Sequence, residues 1–363
     1  MAQRRNILIL TSYTGGGHIS LAHALRDRLV PIHDVEIVDP QPHFLHLHYR
    51  LVSRYALWLW SAEFRLSDTP RTALLTHRAF SRLLGGSLVS LLQRVRPDLI
   101  ITTYPLLTYE VTQALKRERL QVPFVALFAD PGKVHATWLS ECHAAAILVP
   151  TRETYEQSLA SGIAPERLHL VGWPVRGQFS RCSEAQRSQT LAGLGLSPDR
   201  FTVFLQGGGE GAARFSRTVE RVLAAGRDVQ VILATGTNRR LWARFQGVEN
   251  LYALPFTAEI APFMAASDVV MGKAGPNMLF EAVMLGKPFI ATTWIPGQEE
   301  ANLEFIQRHK LGWVACAPEQ QFALLGELLA NRAKLHTMAA TVNAYRRWNA
   351  GANEAIVPLI EEL

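Results

Sequence analysis

Short apolar runs, each closed by glycine, proline or a polar turn, recur along this chain. In the first half they fall at residues 7–10, 35–38, 99–102, 124–128, 145–149 and 168–171. Runs of that length read as buried strands, and the segment from about residue 19 to 29 reads as a helix. Strands that alternate with helices predict a parallel sheet covered on both faces.

From residue 178 to 200 the chain turns polar, and the alternation then starts again. Further strands are expected at 201–205, 229–233, 250–254, 269–271, 289–291 and 313–315. The pattern predicts an α/β protein of two doubly wound domains in series. Such domains bind ligands at the carboxyl ends of their strands, so a ligand is expected in a central cleft that both domains face.

Composition narrows the class. With 363 residues, 48% hydrophobic and 19% charged, the chain suits two globular domains. Cys142, Cys182 and Cys316 are odd in number and widely spaced, which suits a reducing compartment and forms no metal motif. His43, His46 and His48 likewise lack a ligand spacing, so no metal is expected. The apolar run at 6–10 meets glycines too early for a secretory signal, and no stretch reaches the length of a membrane-spanning helix. Between residues 50 and 96, eight arginines face only Glu63 and Asp68. A local excess of this kind points to an anionic partner, with a solvated arginine-rich face as the plainer explanation. Nucleic acid would account for the arginines but not for the glycine loops described next.

Five motifs carry candidate chemistry. Thr14-Gly15-Gly16-Gly17-His18 joins the first strand to the first helix, where bare backbone can approach a ligand and a helix N-terminus favours negative charge. It lacks the G-x-G-x-x-G spacing of a dinucleotide enzyme. Gly207-Gly208-Gly209-Glu210-Gly211 repeats the device in the second half. Gly272-Lys273-Ala274-Gly275-Pro276 precedes a helix that begins at Asn277, with Pro276 suited to its first turn and room for a diphosphate beside Lys273. Glu281 on that helix is an acceptor-only group apt for ribose hydroxyls, or else a surface carboxylate. Pro296-Gly297-Gln298-Glu299 offers polar groups for sugar hydroxyls, or a helix cap. Asp130, His135 and Trp138 lie together beyond a strand end and suit a catalytic or acceptor-binding loop.

Residues 44–66 hold Phe44, Tyr49, Tyr55, Trp58, Trp60 and Phe64, interleaved with Arg50, Arg54 and Arg65. A basic, aromatic helix of this kind lies in a lipid interface, unless it packs as a core helix beneath the sheet.

Taken together, these motifs resemble the diacylglycerol glycosyltransferases of glycosyltransferase family 28, the monogalactosyldiacylglycerol synthases and processive diacylglycerol glucosyltransferases. The resemblance runs over nearly the whole chain. It is most specific from Lys273-Ala274-Gly275-Pro276 through Glu281 to Pro296-Gly297-Gln298-Glu299, joined to the first glycine loop and the Asp130–His135–Trp138 loop. It implies the GT-B fold, with two Rossmann-like domains. The expected division is an acceptor- and membrane-binding domain at 1–177, completed by a helix at 345–363, and a nucleotide-sugar-binding domain at 178–344.

By the same resemblance, His18 and Asp130 are the catalytic pair: His18 is the favoured base, because an imidazole titrates near neutral pH, and Asp130 is its orienter or the base itself. Gly208, Gly209, Glu210, Lys273, Ala274, Gly275, Pro276, Asn277, Glu281, Gln298 and Glu299 are expected to bind the donor. Gly16, Gly17, His135, Trp138, Trp58, Trp60, Arg50 and Arg54 are expected on the acceptor and membrane side. The chain departs from the family where Asn277-Met278 replaces a small or hydroxyl-bearing pair at the helix start. The implied reaction moves glucose or galactose from a UDP-sugar to diacylglycerol or a related lipid. It proceeds with inversion and needs no cofactor or metal, on the cytoplasmic face of an anionic membrane. The alternatives are a lipid-II-type N-acetylglucosaminyltransferase, a nucleotide-sugar epimerase on the same scaffold, or a catalytically impaired binding relative.

Overall fold

The computed structural model describes residues 4–14, 16–84, 86–140, 142–182, 186–207 and 215–363, the side chains at 53 and 54 apart. The chain divides into two compact units. The first comprises Met1–Gly177, Ile295–Ala301 and Asn349–Leu363; the second comprises Gln178–Trp294 and Asn302–Trp348.

The first unit holds β1 (Asn6–Leu10), β2 (Asp34–Val38), β3 (Leu99–Thr102), β4 (Phe124–Leu127), β5 (Ala146–Val149) and β6 (Leu168–Leu170). All pair in parallel, in the order β2-β1-β3-β4-β5-β6. The central strands are buried on both faces, which is why they read as unbroken apolar runs. β2 lies at the edge and keeps an exposed aspartate and glutamate. The chain leaves β1 toward β2, then returns across it to β3. The loops after β1 and β3 therefore diverge at the carboxyl end of the sheet, where doubly wound folds bind ligands.

The second unit repeats the plan with β7 (Phe201–Gln206), β8 (Val229–Ala234), β9 (Leu251–Leu254), β10 (Val269–Lys273), β11 (Phe289–Thr293) and β12 (Gly312–Val314). Their order, β12-β11-β10-β7-β8-β9, is the dinucleotide-fold order and puts the reversal between β7 and β10. Each of these twelve strands coincides with an apolar run of the sequence.

Residues 349–363 close the first unit with side-chain amides. Asn349 Oδ1 accepts from the Trp173 amide at 2.7 Å, and its Nδ2 donates to the Trp173 carbonyl at 2.9 Å. Asn353 Nδ2 donates to the Val171 carbonyl, while its Oδ1 accepts from Arg28. Burial pulls the Arg28 guanidinium down to about 10, so it stays charged at neutral pH. It is satisfied there by the Ala24 and Val175 carbonyls as well. Gly172, at φ +71°, passes so close to both asparagines that a side chain would collide with them.

One expected element divides in two. Residues 44–66 form helices His43–Tyr55 and Leu57–Leu66, broken at Ala56 (φ −139°, ψ 54°). The segment 295–301, read from sequence as part of the second domain, packs with the first unit.

Candidate functional site

His18 sits on the first turn of helix Gly17–Leu29, immediately beyond β1, and Thr103 sits immediately beyond β3. The two meet across the strand reversal. His18 Nδ1 lies 2.6 Å from the Thr103 carbonyl, which can only accept, so Nδ1 carries the proton. That fixes the tautomer and leaves the lone pair on Nε2. Thr103 Oγ1 in turn donates to the His18 carbonyl at 3.1 Å and meets Thr11 Oγ1 at 2.9 Å. Burial lowers the imidazole to about 4, against the opposing pull of the Thr103 hydrogen bond, so the ring is neutral at physiological pH.

Tyr104 lies edge-on to His18 at 5.0 Å and hydrogen-bonds Thr14 and Ser12. Its phenol is pushed upward by burial and by the Asp39 carboxylate. Asp39 holds the same loop from the other side, accepting from the Tyr13 amide. The sequence reading missed Thr103, Tyr104 and Asp39. Their signal was a polar cluster, Thr102-Thr103-Tyr104, closing a strand that neighbours the glycine loop. Gly16 uses none of glycine's conformational freedom: its φ is −92°, and a Cβ there would meet nothing within 4 Å.

Asp130 does not orient His18. Its Oδ2 accepts from the His135 amide at 3.0 Å, and the Trp138 indole also donates to the carboxylate. Desolvation raises its pKa, with the neighbouring Asp68 adding to the rise against those two hydrogen bonds. Asp68, passed over in the sequence except as a charge, accepts from the Ala136 amide at 2.9 Å and pairs with Lys133. The two carboxylates together fold the 130–138 loop.

His135 and Trp138 also depart from the acceptor-side assignment. His135 is buried with both ring nitrogens engaged. Nδ1 accepts from the Thr137 amide and starts helix Ala136–Leu139, while Nε2 donates to the Phe64 carbonyl at 3.0 Å. Trp138 is 1% exposed and packs on Phe128. Both organise the loop from within, and neither reaches a lipid surface.

Trp60 departs likewise from the membrane-contact assignment. Its indole N–H donates to Gln298 Oε1 at 3.0 Å, and its ring meets Tyr49 edge-on at 5.0 Å. The helix it occupies lies against the turn at Gly297 (φ +84°), where a Cβ would stand 3.3 Å from Ser61 Oγ. Arg65 pairs with Glu300 at 3.2 Å. Glu299 is buried, and its Oε2 accepts from the Ile295 amide at 2.8 Å, closing the loop on itself. Trp58 and Arg50 are exposed. With Phe44, Leu47, Leu51 and Tyr55, Trp58 forms an uncovered apolar stripe along the two helices. His46 and His48 sit against Asp39 and Glu63. Among the described residues no group of three His, Cys, Asp or Glu side chains could hold a metal.

In the second unit the candidate donor residues gather at the reversal between β7 and β10. Helix Pro276–Met284 starts with proline in its first turn and no side-chain cap at Gly275. The approach loop is held internally: the Ala274 amide donates to Thr293, the Gly275 amide to Lys273, and Asn302 Nδ2 to the Ala274 carbonyl. Ala274 and Gly275 therefore have their amides engaged within the loop. The Met278 side chain is buried over Gly272, where a Cβ would lie 2.5 Å from its Cε and 2.1 Å from the Gln206 carbonyl. The residue that breaks the family pattern is thus packed against the strand reversal. Glu281 is buried on a helix enclosed on all sides, which removes the surface-carboxylate reading. Gly208, Gly209, Glu210 and the Arg54 side chain lie outside the described residues.

Two six-stranded parallel sheets, each with candidate residues at its strand reversal, are the architecture of the GT-B fold. Residues 32–175 match the family model for monogalactosyldiacylglycerol (MGDG) synthase, and residues 202–347 match that for the glycosyltransferase family 28 C-terminal domain. The chain belongs to the family of MGDG synthases and diacylglycerol glucosyltransferases within glycosyltransferase family 28.

It is 27% identical over 348 residues to the probable MGDG synthase 2 of Oryza sativa subsp. japonica, covering 88% of this chain and 72% of the relative. It is 24% identical over 354 residues to the processive diacylglycerol beta-glucosyltransferase of Staphylococcus aureus (strain MRSA252), covering 94% and 89%. Among solved structures, Acinetobacter baumannii MurG superposes with a TM-score of 0.65 at 14% identity, over 99% of this chain and 100% of that one. A UDP-GlcNAc 2-epimerase from Neisseria meningitidis gives 0.59 at 13%, over 98% and 100%. The fold alone therefore does not separate transfer from epimerisation.

Proposed function

We propose that the protein transfers a hexose, glucose or galactose, from a UDP-sugar to diacylglycerol or a related membrane lipid, with inversion. The observation that carries this reading is His18: a neutral imidazole at the strand reversal, with Nδ1–H committed to Thr103 and the lone pair on Nε2. A neutral imidazole can accept the proton of an alcohol through Nε2 as the new carbon–oxygen bond forms, although burial makes this ring a weaker base than a solvated histidine. The lipid hydroxyl attacks the anomeric carbon, its proton passes to Nε2, and the carbon–oxygen bond to the diphosphate breaks. UDP leaves with the bonding electron pair.

Lys273 and the first turn of helix Pro276–Met284 hold the diphosphate charge, so this reading requires no metal. Glu281 binds the ribose, and Gln298 and Glu299 bind the sugar. The relatives named by their action on diacylglycerol favour this acceptor over a lipid-II-type substrate, which only the fold supports. Among the described residues no helix is long and apolar enough to cross a membrane. On this reading the protein acts peripherally on the cytoplasmic face of the membrane, and the exposed stripe from Phe44 to Trp58, with Arg50 beside it, supports contact with an anionic lipid surface.

Radiolabelled UDP-glucose and UDP-galactose, each offered with diacylglycerol in anionic liposomes, test the reading. Label should move to a glycolipid with EDTA present, and His18→Ala should lose at least about a hundred-fold in turnover while still binding UDP. Release of free sugar alone, or full turnover by His18→Ala, overturns it.

A further inference from the structure

The side chain read from sequence as a lipid anchor makes its polar contact inside the protein. Trp60 stands two residues from the exposed Trp58, yet it turns its ring inward to Tyr49 and its N–H to Gln298. From this contact we infer that Trp60 is a positioning residue for sugar recognition. It orients the Gln298 carboxamide and couples it to the helix beside the lipid-facing stripe. The inference rests on the proposed donor role of Gln298.

The chemistry of the contact allows one arrangement. An indole N–H can only donate, so the carboxamide must turn its oxygen toward Trp60. The NH2 group then points away from the indole, and among the described residues it meets no acceptor. Gln298 is thereby presented as a donor, suited to a sugar hydroxyl acting as acceptor. Without the indole N–H the amide could rotate by half a turn and present its oxygen instead.

The backbone beneath Gln298 is held by the same helix. Gly297 lies against Ser61, Phe64 and Arg65, and Arg65 pairs with Glu300. The Phe64 carbonyl, on the same helix, accepts a hydrogen bond from His135 Nε2 and ties the 130–138 loop to this arrangement. Gly132 completes the contact, approaching the Ala301 carbonyl so closely that any side chain there would collide with it. Helix Leu57–Leu66 thus presents Trp58 outward and holds the sugar-binding turn with Ser61, Trp60 and Arg65.

Trp60→Phe removes the N–H and keeps an aromatic ring. Calorimetry should compare UDP, UDP-glucose and UDP-galactose in the wild type, Trp60→Phe, Gln298→Ala and the double variant. We expect Trp60→Phe to weaken the better-bound UDP-sugar about five-fold, the worth of one ordinary hydrogen bond, and to leave UDP unchanged. Adding Trp60→Phe to Gln298→Ala should cost nothing further. Unchanged UDP-sugar affinity in Trp60→Phe, an equal loss for UDP, or additive losses in the double variant would each overturn the inference. Transfer activity is a separate readout. A wild type that moves no sugar to lipid, yet shows this coupling, removes the proposed reaction and leaves the role of Trp60 standing.

Discussion

At the scale of single residues, the informative fact about His18 is which atom its Nδ1 touches. With the Thr103 carbonyl as partner, the imidazole is a base held neutral by burial, its pKa lowered to about 4. The sign follows directly. The neutral ring is the active form, and the folded protein keeps it neutral well below 6.5, so the acidic limb of kcat/KM should lie nearer pH 4. Above pH 6 the ring is already neutral, so the rate should no longer change with the protonation of His18. A pH–rate profile measured at saturating lipid checks this, and a limb centred near 6.5 would show that the base titrates as a solvated histidine. Asp130 stood in the sequence as the orienter of His18 or the alternative base, because a carboxylate at a strand exit looks the same whether it faces substrate or its own loop. Its hydrogen bonds to His135 and Trp138 assign it to the loop. Thr103 went unseen because its contribution to His18 is a backbone carbonyl, which every residue has.

At the scale of elements, the strands were legible and the helices less so. Parallel strands buried on both faces leave a mark of continuous apolar residues, which placed the central strands, and edge strands β2, β6 and β12 followed from shorter or partly polar runs. A helix break at Ala56 leaves no such mark, since alanine is the residue most at home in a helix. Nor does the sequence say which face of a tryptophan-rich helix is covered, and so Trp58 and Trp60 looked alike. Helix Pro276–Met284 shows the opposite case, where a position that seemed to weaken the family resemblance has a packing explanation. Met278 fills the space over Gly272. The asparagines near the carboxyl end are also structural in a way that only coordinates show. Asn349→Ala would remove both hydrogen bonds that its amide makes to the buried Trp173 backbone. We expect a loss of about 2–4 kcal/mol, read as a lower midpoint in urea, with Asn349→Asp only partly restoring it because a carboxylate cannot donate to the carbonyl.

At the scale of the whole molecule, an apolar stripe beside arginines is the feature that a nucleotide-sugar enzyme does not need for its soluble substrate. Phe44, Leu47, Leu51, Tyr55 and Trp58 are each between 49% and 74% exposed, which is costly to leave in water and useful at a lipid interface. Leu51→Glu with Trp58→Glu should abolish sedimentation with phosphatidylglycerol vesicles while leaving UDP binding intact. Sedimentation equal to wild type would show that the stripe has another purpose. A second consequence concerns the making of the protein. The amide clamps of Asn349 and Asn353 belong to the first unit, but the ribosome adds them about 170 residues after Gly177 has emerged. At ~5–20 residues per second that is a delay of roughly 10–35 s. Through that interval the Trp173 backbone lacks its bonds to Asn349, and Arg28 lacks its bond to Asn353. All six strands of the second unit are made before then, so the first unit is the last to be completed.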